Sequence, residues 1–437
     1  MKNVNLPKVL GVNKGVVMLN NAATTAPFVN TMKEVTLFLN EYGALHRGAG
    51  PYANKTYDKV EEAQNIIKKF INSRKETSLL YTYNTSGAIN SFVRLLNLKN
   101  TDIIITSSIE HTSNNLPYSY NSKAKIIYAD TFIDGSIDLL DLERKAIKYS
   151  THLKLITITG ASNITGYIPD IKRIANIAHK NNAILFVDAA QLAPHRKIDM
   201  KKSNIDALAF SAHKVYSPFG LGVLALSKSI LDRSPVDPGG GSIDMISNNE
   251  IVWAPVPDRH QTGTWNVTGI VALGASCKQI MKTGWGEIIK NERELIKYAV
   301  KELKKVPNLI SYIELEKYIN EDRIGTFVFN LPGYHHSLLS SILDKEYKIE
   351  TRAGTICNHK LVRQWFNIND KEQSKIEKEI REGNRLASYG IVRASLGIQN
   401  TKKDINILVN SLISIQKNGP KLKYKALLKE ETYSLIK

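Results

Sequence analysis

From about residue 56 onward, short apolar runs alternate with longer amphipathic stretches. Five runs, at residues 103–106, 125–128, 155–158, 184–187 and 207–210, are rich in Ile, Leu and Val. Continuous apolar runs of this length predict parallel strands covered on both faces. Between them Val60, Ala63, Ile66, Ile67 and Phe70 fall on one helical face, as do Ile171, Ile174, Ala175, Ile177 and Ala178. The alternation predicts an α/β fold with a mostly parallel sheet sandwiched by helices. Beyond about residue 285 the pattern changes to a long charged helix over 287–305 and a strand over 326–329. A last helix opens at Thr401, with Asp404 completing a capping box before Ile405, Leu408, Leu412 and Ile415. These patterns predict a large domain over 15–285 and a smaller α+β domain over 286–437, with residues 1–14 packing nearby. The basic tail, 417–437, reads as a solvated extension.

Composition narrows the class. At 437 residues, 43% hydrophobic and 23% charged, the chain can bury a large core. That excludes a disordered tail protein, a collagen-like fibre or a small secreted scaffold. Fifty-nine basic against 41 acidic residues leave a net charge of +18, but the charge is spread along a Lys-, Asn- and Ile-rich chain. Neither zinc-finger spacing, an RNP-type motif nor a compact Lys/Arg block points to nucleic acid. Two cysteines, Cys277 and Cys357, make no disulfide framework and suggest a reducing compartment. The start has no signal-like apolar core, and no apolar run approaches the ~20 residues of a membrane helix. A cytoplasmic protein without membrane contact is expected. The spacing of Cys357, His359, His335 and His336 fits no common metal site.

The chemistry concentrates between Phe186 and Gly222. One predicted strand ends in Asp188 and the next in Ser211-Ala212-His213-Lys214. Ligands of open parallel sheets sit beyond the carboxyl ends of the strands, so an acid and a lysine at neighbouring ends could share a pocket. A lysine there suits a Schiff base to an aldehyde cofactor, with a carboxylate holding a pyridine nitrogen protonated. Spacing alone fits equally well with Asp188 capping a turn and Lys214 lying exposed in a loop.

The segments Val187-Asp188-Ala189-Ala190-Gln191 and Ser211-Ala212-His213-Lys214-Val215-Tyr216-Ser217-Pro218-Phe219-Gly220 resemble the class V aminotransferase family of fold type I pyridoxal 5'-phosphate (PLP) enzymes. The likeness is to the branch of cysteine desulfurases and selenocysteine lyases in particular. It extends in register through Leu19-Asn20-Asn21-Ala22-Ala23-Thr24-Thr25, Leu45-His46-Arg47-Gly48, Asn84-Thr85-Ser86-Gly87, Glu110-His111, Ser162-Asn163-Ile164-Thr165-Gly166, Gly239-Gly240-Gly241, Gly263-Thr264, Arg352-Ala353-Gly354 and Val392-Arg393-Ala394-Ser395-Leu396. The resemblance implies that Lys214 bonds PLP and moves protons. Asp188 would pair the ring nitrogen, His111 stack on the ring, and Asn163 and Gln191 bond the phenolic oxygen. Thr85, Ser86, Ser211 and His213 would cup the phosphate. Thr264 would reach the phosphate of a partner subunit, implying a homodimer.

The same resemblance assigns Arg393 to the α-carboxylate of an amino-acid substrate, and Arg352, Asn21 and Ala22 to its surroundings. It places Cys357 where the desulfurase thiolate lies, attacking the sulfur of L-cysteine to leave a persulfide and L-alanine, with a sulfur-acceptor protein to follow. A thiolate nucleophile is favoured by a mobile loop among basic groups, and Arg352, His359 and Lys360 flank Cys357. Thr355, Ile356, Asn358, Gly50 and Trp265 depart from the branch, around substrate rather than cofactor. The alternative is the same cofactor acting on another amino acid by transamination, epimerisation or elimination, with Cys357 an ordinary thiol.

Overall fold

The structure, a computed structural model, describes residues 6–11, 15–45 and 48–436. The expectations for residues 1–5 and 12–14, and for His46 and Arg47, fall outside them. The strands in chain order are β1 (Val17–Met18), β2 (Ser78–Thr82), β3 (Ile103–Ser107), β4 (Lys125–Ala129), β5 (Leu153–Thr159), β6 (Ile184–Asp188), β7 (Ala207–Ser211) and β8 (Gly222–Leu226). They continue as β9 (Ile243–Ile246), β10 (Ile251–Trp253), β11 (Ile310–Ser311), β12 (Thr326–Asn330), β13 (Ile349–Glu350), β14 (Arg352–Gly354), β15 (Ile391–Ser395), β16 (Tyr424–Leu427) and β17 (Thr432–Leu435).

Seven strands form the central sheet in the order β2-β8-β7-β6-β5-β3-β4. Only β8 runs against the rest, antiparallel to both β7 and β2. The continuous apolar strands have a direct cause. Leu185 and Val187 face one buried cluster, while Phe186 between them faces the other. Each face is covered by helices, so neither set of alternate side chains meets water. The helices Val29–Leu39, Pro51–Phe70 and Val267–Thr283 pack together, bringing Ala63 against Gly274. A methyl group on Gly274 would stand 2.7 Å from Ala63 Cβ, so this approach needs glycine.

The C-terminal half holds the antiparallel sheet β11-β12-β15-β14, with the helices Trp285–Leu303, His336–Tyr347 and Lys402–Asn418 around it. The chain's N-terminal part joins it, since β1 pairs with β13 and Asn20 bridges Ser395. The capping box at Thr401 and Asp404 is present, and Ile405, Leu408, Leu412 and Ile415 are buried. The tail differs from the solvated extension its charge suggested. β16 and β17 pair as a hairpin against the helix His336–Tyr347, because the Glu346 carboxylate accepts from the backbone N–H of Lys421 and Leu422. Among the described residues, no helix is long and apolar enough to cross a membrane.

Buried charges join the two halves. Arg323 is fully buried; it donates to Asp134 Oδ2 at 2.9 Å, to Glu321 Oε2 at 2.8 Å, and to the carbonyls of Asp134 and Thr165. Glu292, on the helix Trp285–Leu303, accepts from Arg196 and from Gly325 N, and pairs with His195 Nδ1 at 2.7 Å. Burial alone would raise its carboxyl, but His195 and Arg196 overcome this and hold it at about 2. Its contribution is therefore present above the ordinary glutamate range near pH 4.5 and is lost as pH falls toward 2. Glu292→Ala strands Arg196 and His195 without their shared partner. We expect a loss of about 3–5 kcal/mol in urea unfolding at pH 7, and a smaller difference from the parent at pH 3.

Candidate active site

Four strand ends converge on one cavity of about 290 Å³. His111 follows β3, Asn163 follows β5, Asp188 ends β6, and Ser211, His213 and Lys214 close or follow β7. Strand order reverses here, since β4 and β5 flank β3 on opposite sides, and such a switch point opens a crevice at the carboxyl ends. Thr85 and Ser86, at the start of the helix Thr85–Leu96, add a ring of backbone amides and hydroxyls. Helix starts of this kind favour anions. The far wall comes from the C-terminal half: Arg393 on β15, Arg352 on β14, and the turn holding Ile356 and Cys357.

Charge in the cavity is unbalanced. Asp188 is buried, and its Oδ1 accepts from Ala190 N at 3.0 Å; burial pushes its carboxyl up, opposed by Ala190 and Lys214. Burial lowers Lys214 to about 8, with Asp188 opposing and Arg393 adding to the fall. His111 is pushed down to about 3 by burial and then by Lys214 and Arg393, so it is neutral at pH 7. Its Nδ1 accepts from Ser113 N at 3.1 Å, which leaves the proton on Nε2. His213 falls to about 4 for the same reasons, burial first and Lys214 second. Beneath His111, buried Glu110 accepts from Ser107 Oγ and Asn114 Nδ2, each at 2.6 Å, yet burial still raises it to about 8.

Arg393 is the sharpest imbalance. Its guanidinium is fully buried and donates to Asn163 O and Asn20 Oδ1, each at 3.1 Å, while its Nε has no partner. Among the described residues no carboxylate lies within ion-pair distance of it. Arg352 stands directly opposite on β14. Burial and then this second guanidinium lower Arg393 to about 9. Like charges facing across a strand pair destabilise, and an anion held between them removes that penalty. An arginine paired to a structural acid does not describe this site.

Cys357 is half-buried and lines the same cavity. Its turn is held rather than loose. Ile356 and Cys357 both adopt left-handed backbone, at φ +50° and +58°. The cost of left-handed backbone is about 1–2 kcal/mol per residue, so the turn persists only under restraint. Asn163 Nδ2 donates to Ile356 O at 2.9 Å, Thr112 N donates to Cys357 O at 2.9 Å, and Asn358 Nδ2 donates to Ile109 O at 2.6 Å. The turn carrying this cysteine is thus pinned on both sides. Cys277 lies buried in the helix Val267–Thr283, and burial pushes its thiol up.

Most of the residues singled out by sequence line the cavity: Ala22, Thr85, Ser86, His111, Asn163, Asp188, Gln191, Ser211, His213, Lys214, Arg352, Cys357 and Arg393. Two do not. Asn21 spends its side chain on Met18 O, Ser395 O, Asn400 and Gln399, and the neighbouring Asn20 meets Arg393 instead. Thr264 is exposed, outside the cavity of its own chain. Ser113 and Thr159 line the cavity too, without a signal of their own in the sequence beyond Ser113 sitting two residues after His111.

These residues fit PLP. Asp188 and Lys214 line the same cavity, the carboxylate's charge is felt at the amine, Gln191 Oε1 is buried without a partner, and hydroxyls gather at a helix start, although Thr85 bonds Ser211 and Ser86 bonds Ser113. A family model for the class-V aminotransferases matches residues 17–408. A protein of Halalkalibacterium halodurans named "Probable cysteine desulfurase" is 32% identical over 405 residues, covering 91% of this chain and 92% of its own. One of the same name from Borreliella burgdorferi is 32% identical over 360 residues, covering 79% and 83%. The apo structure of a cysteine desulfurase from Thermococcus onnurineus NA1 matches with a TM-score of 0.81 at 28% identity, covering 92% of this chain and 95% of that one. The cysteine desulfurase CsdA (S-sulfonic acid) of Escherichia coli matches at 0.78 and 26%, with the same coverage.

A lysine lowered to about 8 loses its proton near neutrality, far below an exposed amine at 10.5. In protein stripped of ligand, aldehyde labelling of Lys214 followed by borohydride reduction is expected to rise with pH through 8 and then level. Peptide mapping checks it against surface lysines, which continue to rise. Asp188→Asn removes the opposing negative charge and moves the Lys214 midpoint lower still.

Proposed function

The chain belongs to the class-V aminotransferase family, and we propose that it is a cysteine desulfurase, a PLP-dependent enzyme that moves the sulfur of L-cysteine onto Cys357 and releases L-alanine. The observation that carries this reading is the thiol of Cys357 in one cavity with the Lys214–Asp188 pair and the uncompensated Arg393. Bound PLP supplies an electron sink for the bonds at the substrate's α-carbon. Lys214 would hold the cofactor, and its neutral amine would take the α-proton. Asp188, in the same cavity, would favour a protonated ring nitrogen. Asn163 and Gln191 would meet the phenolic oxygen, and Thr85, Ser86, Ser211 and His213 would cup the phosphate.

Arg393 grips the substrate carboxylate, oriented by Asn20 and Asn163, and Arg352 reinforces the field. Neutral His111, with its proton on Nε2, would supply that proton near the reacting atoms. The Cys357 thiolate attacks the substrate sulfur: a sulfur–sulfur bond forms, the substrate carbon–sulfur bond breaks, and its electron pair stays on carbon to be protonated. The persulfide then passes its outer sulfur to an acceptor thiol. We also propose a homodimer in which Thr264, exposed on its own chain, reaches the phosphate in its partner's cavity.

Cys357→Ala is expected to lower sulfide release from L-cysteine at least about a thousandfold while keeping the PLP absorbance. Alanine and sulfide assays under reductant check it. Full turnover of a sulfur-free amino acid by this variant would instead favour transamination, epimerisation or elimination. Arg393→Lys, which lacks the bidentate fork, is expected to raise KM for L-cysteine about tenfold or more.

A further inference from the structure

The family match ends at residue 408, inside the helix Lys402–Asn418, and the chain beyond it turns back on the body. Gly419, at φ +70°, makes that turn. The Glu346 carboxylate then accepts from Lys421 N at 3.0 Å, Leu422 N at 3.1 Å and the Tyr424 hydroxyl at 3.0 Å. From this anchor β16 and β17 run out as a hairpin, with Tyr424 opposite Leu435 and Leu427 opposite Thr432. A two-stranded hairpin is marginal on its own, so its order depends on what it touches. Along its length Tyr433 packs 6.1 Å from the His335 ring, and Thr432 Oγ1 lies 3.5 Å from Ser341 Oγ.

The tip carries the unusual residue. Glu431 is left-handed at φ +53°. Its Oε1 accepts from Ser388 Oγ at 3.0 Å, and its Oε2 lies 3.9 Å from Arg385. A methyl group placed on Gly354 would stand 3.4 Å from Oε1, so the carboxylate rests against the end of β14. Gly354 is three residues before Cys357. Thr355 Oγ1 and His359 Nε2, which flank the cysteine in sequence, lie 3.3 Å apart, and the charge of Glu431 acts on both His359 and His335. The ion pair with Arg385 is long and partly solvated, hence weak. What the contact adds is geometry: held by Ser388, the carboxylate lies against Gly354 at the end of β14, just before the left-handed pair Ile356–Cys357. Asn163, Thr112 and Asn358 hold that pair from the other half.

We propose that the C-terminal hairpin is a clamp on the Cys357 turn and that Glu431 is its positioning residue, holding the base of the turn so that the thiol stays in the cavity. The catalytic consequence rests on the reading of Cys357 as the nucleophile; the geometric claim does not.

The test uses the PLP-bound enzyme in four forms: the full chain, a chain ending at Gly419, Glu431→Ala and Glu431→Gln. The first readout is the rate of Cys357 alkylation by iodoacetamide, followed by mass spectrometry, with buried Cys277 as the internal unlabelled reference. The truncated chain and Glu431→Ala are expected to alkylate about fivefold faster or more. Their kcat for sulfur release falls about tenfold, with KM for L-cysteine and the PLP absorbance held within about twofold. Glu431→Gln, which keeps an acceptor for Ser388, recovers most of the parent behaviour. If truncation costs the PLP absorbance, Glu431→Ala alone decides. Unchanged alkylation and kcat in that variant overturn the clamp. Faster alkylation in an enzyme whose parent form releases no sulfur upholds the clamp and sinks the desulfurase reading.

Discussion

A buried guanidinium without an acid governs the site. Taking a charge out of water costs several kcal/mol after relaxation, and a folded protein normally answers with a carboxylate. Around Arg393 the answer is two neutral oxygens and a second arginine. The cavity is thus built short of negative charge; burial first, and this deficit after it, depresses Lys214 and keeps His111 neutral. If Arg393 takes the carboxylate of an amino-acid substrate, as proposed, that carboxylate supplies what the fold withholds. Substrate capture and the protonation of Lys214 and His111 would then be one electrostatic event.

The two halves divide the chemistry. The seven-stranded sheet provides the groups suited to the cofactor, all at carboxyl ends of its strands, while the C-terminal half provides Arg393, Arg352 and Cys357. Their relative placement depends on the seam, where Arg323, Arg196 and Glu292 are locked by several partners each. A shear of one half against the other would unpair buried charges. Rigidity at the seam substitutes for rigidity in any one loop.

Much of this was legible in the chain. β3 to β7 announce themselves because a strand covered on both faces leaves no room for polar alternation. The direction of β8 was not, since apolarity carries no polarity of direction; only ten residues separate it from β7, too few for a helical crossover, so it must run back. Asn20 and Asn21 show a finer limit. The chain turns at Asn21, so one position decides which amide meets Arg393 and which is spent on the local backbone and Asn400. Basic residues in the tail suggested solvation, because the acceptor that captures its backbone, Glu346, lies some 75 residues away in sequence. The cysteine turn was hidden for a similar reason: its restraints come from Asn163, Thr112 and Ile109, all remote.

Arg323 also orders events in time. Its acceptors Asp134 and Thr165 leave the ribosome well before it, by 189 and 158 positions. β1 likewise waits for β13. The nascent sheet can pair strand to strand through residue 226, yet its rim remains open until the last third of the polypeptide has been made. The growing chain therefore spends much of translation with the Asp134 carboxylate and the Asp134 and Thr165 carbonyls still without the arginine that finally buries them.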